Sequence, residues 1–228
     1  TQGCTFADTA RGKARDGASG WRVYEPQARW HFLNAPRTAR TVSRAQCHDD
    51  CVLHGIEHHF RIFANHDLPE PRRAEAMLLM SHWIADAHQP LHVGFEDDRG
   101  GNGVDVAPGG AYRQRNLHAV WDRGILEAAL GGRDWWNFAK TLELSIDPGS
   151  RRQWRSADPL DWAQESFDIA VDERTRYCVR RTGGACEPVT EPIRLGADYQ
   201  HRVEHIALDR IRRAGARLAA YLERGLSR

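Results

Sequence analysis

Apolar residues recur at helical spacing through most of this chain. Between residues 44 and 66, Val52, Ile56, Phe60 and Phe63 fall on one face of a predicted helix. The stretch PEPRRAEAMLLMSHWIADAHQP opens with prolines suited to a helix N-terminus and is stopped by Pro90. Its middle is apolar on most sides, which predicts a central, buried helix. A glycine-rich section over 94–115 then interrupts the pattern, as an ordered loop or a short hairpin. NLHAVWDRGILEAAL resumes a helix, and further helices are predicted over 133–145 and 159–177. The last runs over about 197–223, with Val203, Ile206, Ala214, Leu218 and Leu222 on one side. No linker and no repeat divides the chain. The expected fold is all-α: a single, mainly helical domain with a short Gly-rich loop or hairpin insertion.

Composition narrows the class. The chain has 228 residues, 41% of them hydrophobic, which fits one large domain or two small ones. No run of about 18 apolar residues is present, so no membrane span is expected. A formal charge of +1 argues against a polybasic nucleic-acid coat, so any grip on an anion must be local. Lys13 and Lys140 are the only lysines. Arginine suits two-pronged phosphate recognition, but such a bias also follows from genome composition. Cys47 with Cys51, and Cys178 with Cys186, are spaced for two short-range disulfides, which point to an oxidising, secreted or periplasmic setting. Cys4 is left over, as a free thiol or the mate of a cysteine outside this chain. No signal peptide is visible, and a mature chain would have lost one.

The chemistry concentrates in SHWIADAHQPLHVG, residues 81–94. Residues four apart on a helix share a face, so His82 points with Asp86, and His118 with Asp122. Imidazole with carboxylate is a zinc ligand set. His92 follows Pro90 and can turn back towards the same place. His88 lies on another face and reads as a structural or supporting residue. A lone histidine on an apolar helix is usually packed core, and His54, His58, His59, His66, His201 and His205 read as solvated or packed histidines. Two pairs plus HQPLH favour a metal, without naming a reaction.

WHFLN (30–34), HWIADAHQPLH (82–92), DRGGN (98–102), NLHAVWD (116–122) and DWAQES (161–166), in this order, resemble the S1/P1 nuclease family. The likeness runs from about Phe6 to the C-terminus and makes residues 1–228 one domain of the phospholipase C/P1 nuclease type. It implies a mainly helical, secreted, trinuclear zinc phosphodiesterase that cuts single-stranded DNA and RNA to 5′-nucleotides, often with 3′-nucleotidase activity. On that likeness Asp8, His31, His82 and Asp86 hold one zinc, and His92, His118 and Asp122 a second, with Asp86 bridging to a third. Arg11 would face the scissile phosphate, making it and Asp86 the catalytic residues, and Phe32 would stack on a base. Single-stranded nucleic acid and nucleotides are the partners expected, acting on a monomer.

The chain also departs from that pattern. The family's third zinc uses an N-terminal Trp and a nearby His, whereas this chain starts TQGCTFAD and has no His before His31. The expectation is a chain lacking the family's N-terminal helices, with two nearly complete zinc sites. Asn34 stands where fungal relatives carry a base-reading aspartate, and Arg123 where they carry a phosphate-contacting asparagine. RGKARDGASG reads as an inserted exposed loop. The competing functions are a zinc phospholipase C on the same scaffold and a zinc-containing nucleic-acid or lipid binder without turnover.

Overall fold

A computed structural model describes residues 5–48, 50–155, 158–178, 181–183 and 185–227; side chains at 181 and 182 are not described, and Cys4 lies outside these ranges. Its organising element is α3, Glu70–His88, which starts on Pro71 at its first turn and ends where Gln89 turns extended ahead of Pro90. Leu79, Met80, Trp83, Ile84 and Ala87 are all buried, so the second half of α3 lies largely inside the fold, while its first turn is exposed. It packs on α1 (Phe6–Arg15), α2 (Val52–Ala64), α8 (Pro159–Ala170) and α9 (Ala197–Leu226). One apolar core runs through these contacts, with Trp83 and Trp162 its largest fully buried side chains.

The helix of NLHAVWDRGILEAAL forms in three parts. These are α4 (Leu117–Ala119), a π-helical turn (Val120–Gly124) and α5 (Ile125–Leu130). Asn116 caps it by accepting from the amide of Ala119. The helix then ends on Gly131 in the left-handed conformation. Two short helices, α6 (Trp135–Leu144) and α7 (Pro148–Arg155), pack on the outer side of α9. The disulfides Cys47–Cys51 and Cys178–Cys186 both form. No helix among the described residues is long and apolar enough to cross a membrane.

Three expectations need correction. The helix predicted over 44–66 begins only at Val52. Before it stand a 3₁₀ turn at Arg44–Gln46 and the Cys47–Cys51 loop, where His48 takes a positive φ that breaks any helix. The segment 94–115 is an ordered loop, one of the two forms expected of it, closed on itself by an antiparallel bridge between Asp105 and Asn116 and pinned by isolated bridges between Ala35 and Phe95 and between Val106 and Ile193. The two-stranded ladder among the described residues is β1 (Arg181–Thr182) with β2 (Ala185–Cys186), antiparallel, Arg181 opposite Cys186. Finally, the helix predicted over 159–177 stops at Ala170, and the stretch read as a loop from Arg11 is helical as far as Arg15. Alanines at 7, 10 and 14 bury one face of that helix, a signal too small to stand out among its charges.

Candidate active site

The predicted site residues come from five places in the chain and share one cleft of about 1010 Å³. Asp8 and Arg11 stand on α1. His31, Phe32 and Asn34 lie on an extended segment that runs beside 92–94, Leu33 donating to the carbonyl of His92 and Ala35 to that of Gly94. His82 and Asp86 come from α3, His92 from the 3₁₀ turn Pro90–Val93, His118 from α4, and Asp122 and Arg123 from the π turn. All eleven line the cleft.

Two groups of three potential ligands gather there: Asp8, His31 and His82, then His92, His118 and Asp122. In the first, His31 Nδ1 lies 3.3 Å from His82 Nε2 and 3.8 Å from Asp8 Oδ1. In the second, His92 Nε2 is 3.1 Å from one oxygen of Asp122 and His118 Nε2 is 3.4 Å from the other. Asp86 stands between the groups. Its Oδ2 is 2.9 Å from His31 Nδ1, 3.2 Å from His82 Nε2 and 3.7 Å from His92 Nδ1.

Whether a cation suits this arrangement can be tested on its hydrogen bonds. His92 donates from Nδ1 to the carbonyl of His31 at 2.6 Å, and His118 from Nδ1 to the carbonyl of Gly100 at 2.8 Å. Each ring is thereby fixed with its Nε2 lone pair aimed at the Asp122 carboxylate. Lone pairs facing carboxylate oxygens need a positive charge between them. Gly100 makes one of these bonds possible. Its φ is +62°, and a Cβ there would come within 2.2 Å of the Leu91 carbonyl oxygen.

Electrostatics agree. Among the described residues, the side chains within bonding range of Asp86 and Asp122 are imidazoles and the amide of Gln89, with no arginine or lysine. Burial opposes the charge on Asp86, but His92, His31 and His82 outweigh it and hold its carboxyl far below the ordinary range. Burial likewise works against Asp122, and His92 draws it to about 2. His92 answers to the same two carboxylates: burial pushes it down, yet Asp86 and Asp122 carry it to about 10. In the absence of a metal, a proton on Nε2 thus supplies the positive charge between ring and carboxylate that a cation would otherwise bring. Burial drives His31 and His118 below their usual values, favouring the neutral imidazole a metal requires. The residues therefore fit a bound divalent metal.

Some contributors are invisible to spacing. Gln89 donates to Asp122 Oδ1 at 2.6 Å while accepting from the amide of Leu91, so it orients a ligand from inside HQPLH. Arg99 takes a φ of +55° and lines both this cleft and an adjoining hollow of about 400 Å³ that also touches Phe32 and Asn34. His88 is buried and structural, as expected, donating to the Ile84 carbonyl. His59 is packed against Trp30 and Trp83.

The helical fold assembles paired His/Asp groups that could hold a metal across one open cleft. The S1/P1 Nuclease family model matches residues 1–227, and the chain belongs to that family. It is 30% identical over 227 residues to Endonuclease 1 of Arabidopsis thaliana, covering 91% of this chain and 71% of that protein. It is 35% identical over 167 residues to Endonuclease 4 of the same plant, covering 66% and 50%. With Nuclease S1 of Aspergillus oryzae it shares 30% over 213 residues, 85% and 70% of the two chains. The matched stretch thus spans from half to about seven tenths of these relatives. Members of the family are nucleases, hydrolases of phosphodiester bonds.

Proposed function

We propose that this protein is a secreted or periplasmic, zinc-dependent nuclease that hydrolyses single-stranded DNA and RNA to 5′-nucleotides and also removes 3′-phosphates. One observation carries the reading: His92 and His118, each locked by a backbone carbonyl, turn their second nitrogens on the two oxygens of Asp122. An N/O donor set of this kind suits zinc. Asp8, His31, His82 and Asp86 would hold one ion, and His92, His118 and Asp122 another, with Asp86 shared towards a third. Zinc bound there supplies hydrolytic water at neutral pH and positive charge for phosphate oxygens.

The chain's own residues supply the rest. Arg11, exposed to the cleft and 3.2 Å from Asp8, offers further guanidinium donors to a phosphate that approaches the first group. Arg123, beside Asp122, places a second cation at the other group. Phe32 offers a ring for a base to stack on, which favours strands whose bases are already unpaired. Asn34 lines the cleft and its Oδ1 has no hydrogen-bond partner among the described residues; turned towards the cleft, the amide would accept from a base amino group.

The test is release of acid-soluble nucleotides from single-stranded DNA, before chelation, after it, and after zinc is restored. Loss and recovery of hydrolysis is expected. Hydrolysis of phosphatidylcholine in place of DNA would overturn the nuclease reading in favour of a phospholipase. Zinc binding without turnover of either substrate would leave a binding protein.

A further inference from the structure

Behind the cleft, α9 turns two arginines into the core. Arg210 and Arg217 are 3% and 1% exposed and lie seven residues apart on one face. A buried guanidinium must find acceptors for its N–H groups or it destabilises the fold. Arg210 finds them on two neighbouring helices. Its Nε donates to the His88 carbonyl at 3.1 Å, and Nη2 to the Trp162 carbonyl at 3.0 Å and Ser166 Oγ at 2.9 Å; Nη1 pairs with Glu165. Arg217 forks onto Glu165 with two contacts of 2.8 Å and donates to His88 Nε2 at 2.7 Å. Ser166 completes the set, donating to the Ala87 carbonyl at 2.6 Å.

These bonds converge on the end of α3. The last carbonyls of a helix lack partners within it, and here those of Ala87 and His88 are held by Ser166 and Arg210. The joint they fasten lies between Asp86, on the helix, and His92, on the turn after it. Freedom at that joint would move one His/Asp group against the other. Arg210 lines the cleft floor, but it is committed to four protein acceptors, which leaves it little to offer a substrate.

We infer that Arg210, braced by Glu165, is a positioning residue: it clamps the joint between Asp86 and His92 and thereby sets the metal affinity of the paired groups. The inference rests on the reading that those groups hold zinc. A plain structural ion pair would contribute to stability and leave metal affinity alone, so the two roles separate by measurement.

Zinc affinity is measured by competition with a chelating dye on full-length folded proteins, with thermal melting alongside. Arg210→Lys keeps the charge and loses the fork, and Ser166→Ala removes one carbonyl partner. Phe63→Leu, in the core and not lining the cleft, is the reference for simple destabilisation. Arg210→Lys is expected to weaken zinc binding roughly 10–100-fold, and Ser166→Ala by less. Phe63→Leu should lower the melting temperature with affinity unchanged. Wild-type affinity in Arg210→Lys overturns the clamp, as does an equal loss in Phe63→Leu. If Arg210→Lys does not fold, wild-type affinity in Ser166→Ala overturns it instead. A wild-type protein that binds no zinc refutes the zinc reading. The clamp is then judged by amide exchange over residues 86–92, where rates unchanged by Arg210→Lys, or by Ser166→Ala if that variant alone folds, overturn it.

Discussion

The indole N–H of Trp83 donates to Nδ1 of His59 across 3.0 Å. An indole nitrogen can only donate, and the Gly55 carbonyl oxygen lies at the same 3.0 Å from that imidazole nitrogen, so the two compete. Serving Trp83 needs a lone pair on Nδ1 and a neutral ring, whereas a proton there turns it to Gly55. The bond anchors the α2 face on the helix that bears His82 and Asp86.

Protonating His59 should therefore unfold the protein from within. Burial drives its pKa from 6.5 down to about 4 against the pull of the Gly55 carbonyl, with His58 and His54 adding to the fall. A histidine depressed on folding contributes stability that is complete above its unfolded value, about 6.5, and is lost as pH falls from there towards 4. The contribution amounts to roughly 3 kcal/mol at neutral pH. Other buried histidines titrate downwards too, so the measurement is a difference. Urea unfolding of His59→Gln should depend on pH less steeply than wild type between pH 7 and 4, by about that amount. Equal slopes would remove His59 from the account. Glu165 does not intrude until lower pH: burial raises it, but Arg217 and Arg210 hold it at about 2, so its contribution falls away only below about 4.5.

Asp86→Asn removes the carboxylate that faces both groups. Zinc content should drop and turnover fall by orders of magnitude, since three imidazoles lose their common anionic partner. Near-normal hydrolysis in this variant would sink the paired-site scheme.

Arg11→Ala should separate charge on the substrate from metal retention. Arg11 touches Asp8 but is half exposed to the cleft, so zinc content is expected to stay at the wild-type level. Turnover should fall about 100-fold if the guanidinium meets charge that develops on phosphate. Loss of zinc alongside turnover would show that Arg11 supports Asp8 instead.

Phe32→Ala tests base stacking. Removing one stacked ring should weaken binding of a single-stranded substrate by about 1–3 kcal/mol, seen mainly in KM. A change confined to kcat would argue that the ring shapes the neighbouring His31 and not the substrate.

The ligand half of the site is legible in the sequence because it is written at helical spacing. His82 with Asp86 and His118 with Asp122 need only the knowledge that four residues make about one turn. Asp8 and His31 carry no such local signal, and only the family likeness points to them. Arg210 and Arg217 sit in register with Val203 on the buried face of α9, where an apolar pattern would place leucines. Their period puts them on the inner face, but their charge hides them from a reading by hydropathy, because their acceptors come from helices elsewhere in the chain. The same limit hid α1, whose buried alanines are outweighed by its charges, and the late start of α2, which a disulfide loop and a positive φ impose.

The π turn at Val120–Gly124 fixes how this chain can change length. A π turn holds one residue more than an α turn would, and Asp122 and Arg123 stand within it. Deleting a single residue there would restore regular winding, yet it would swing whatever lies on one side of the cut by about 100° relative to the other. Either Asp122 would leave the company of His118, or α5 would turn its buried Ile125 and Ala129 towards water. The surplus residue is the slack that lets one continuous helical stretch serve the cleft and the core in different phases. Insertions and deletions should be tolerated in the loops on either side of this stretch long before they are tolerated inside it.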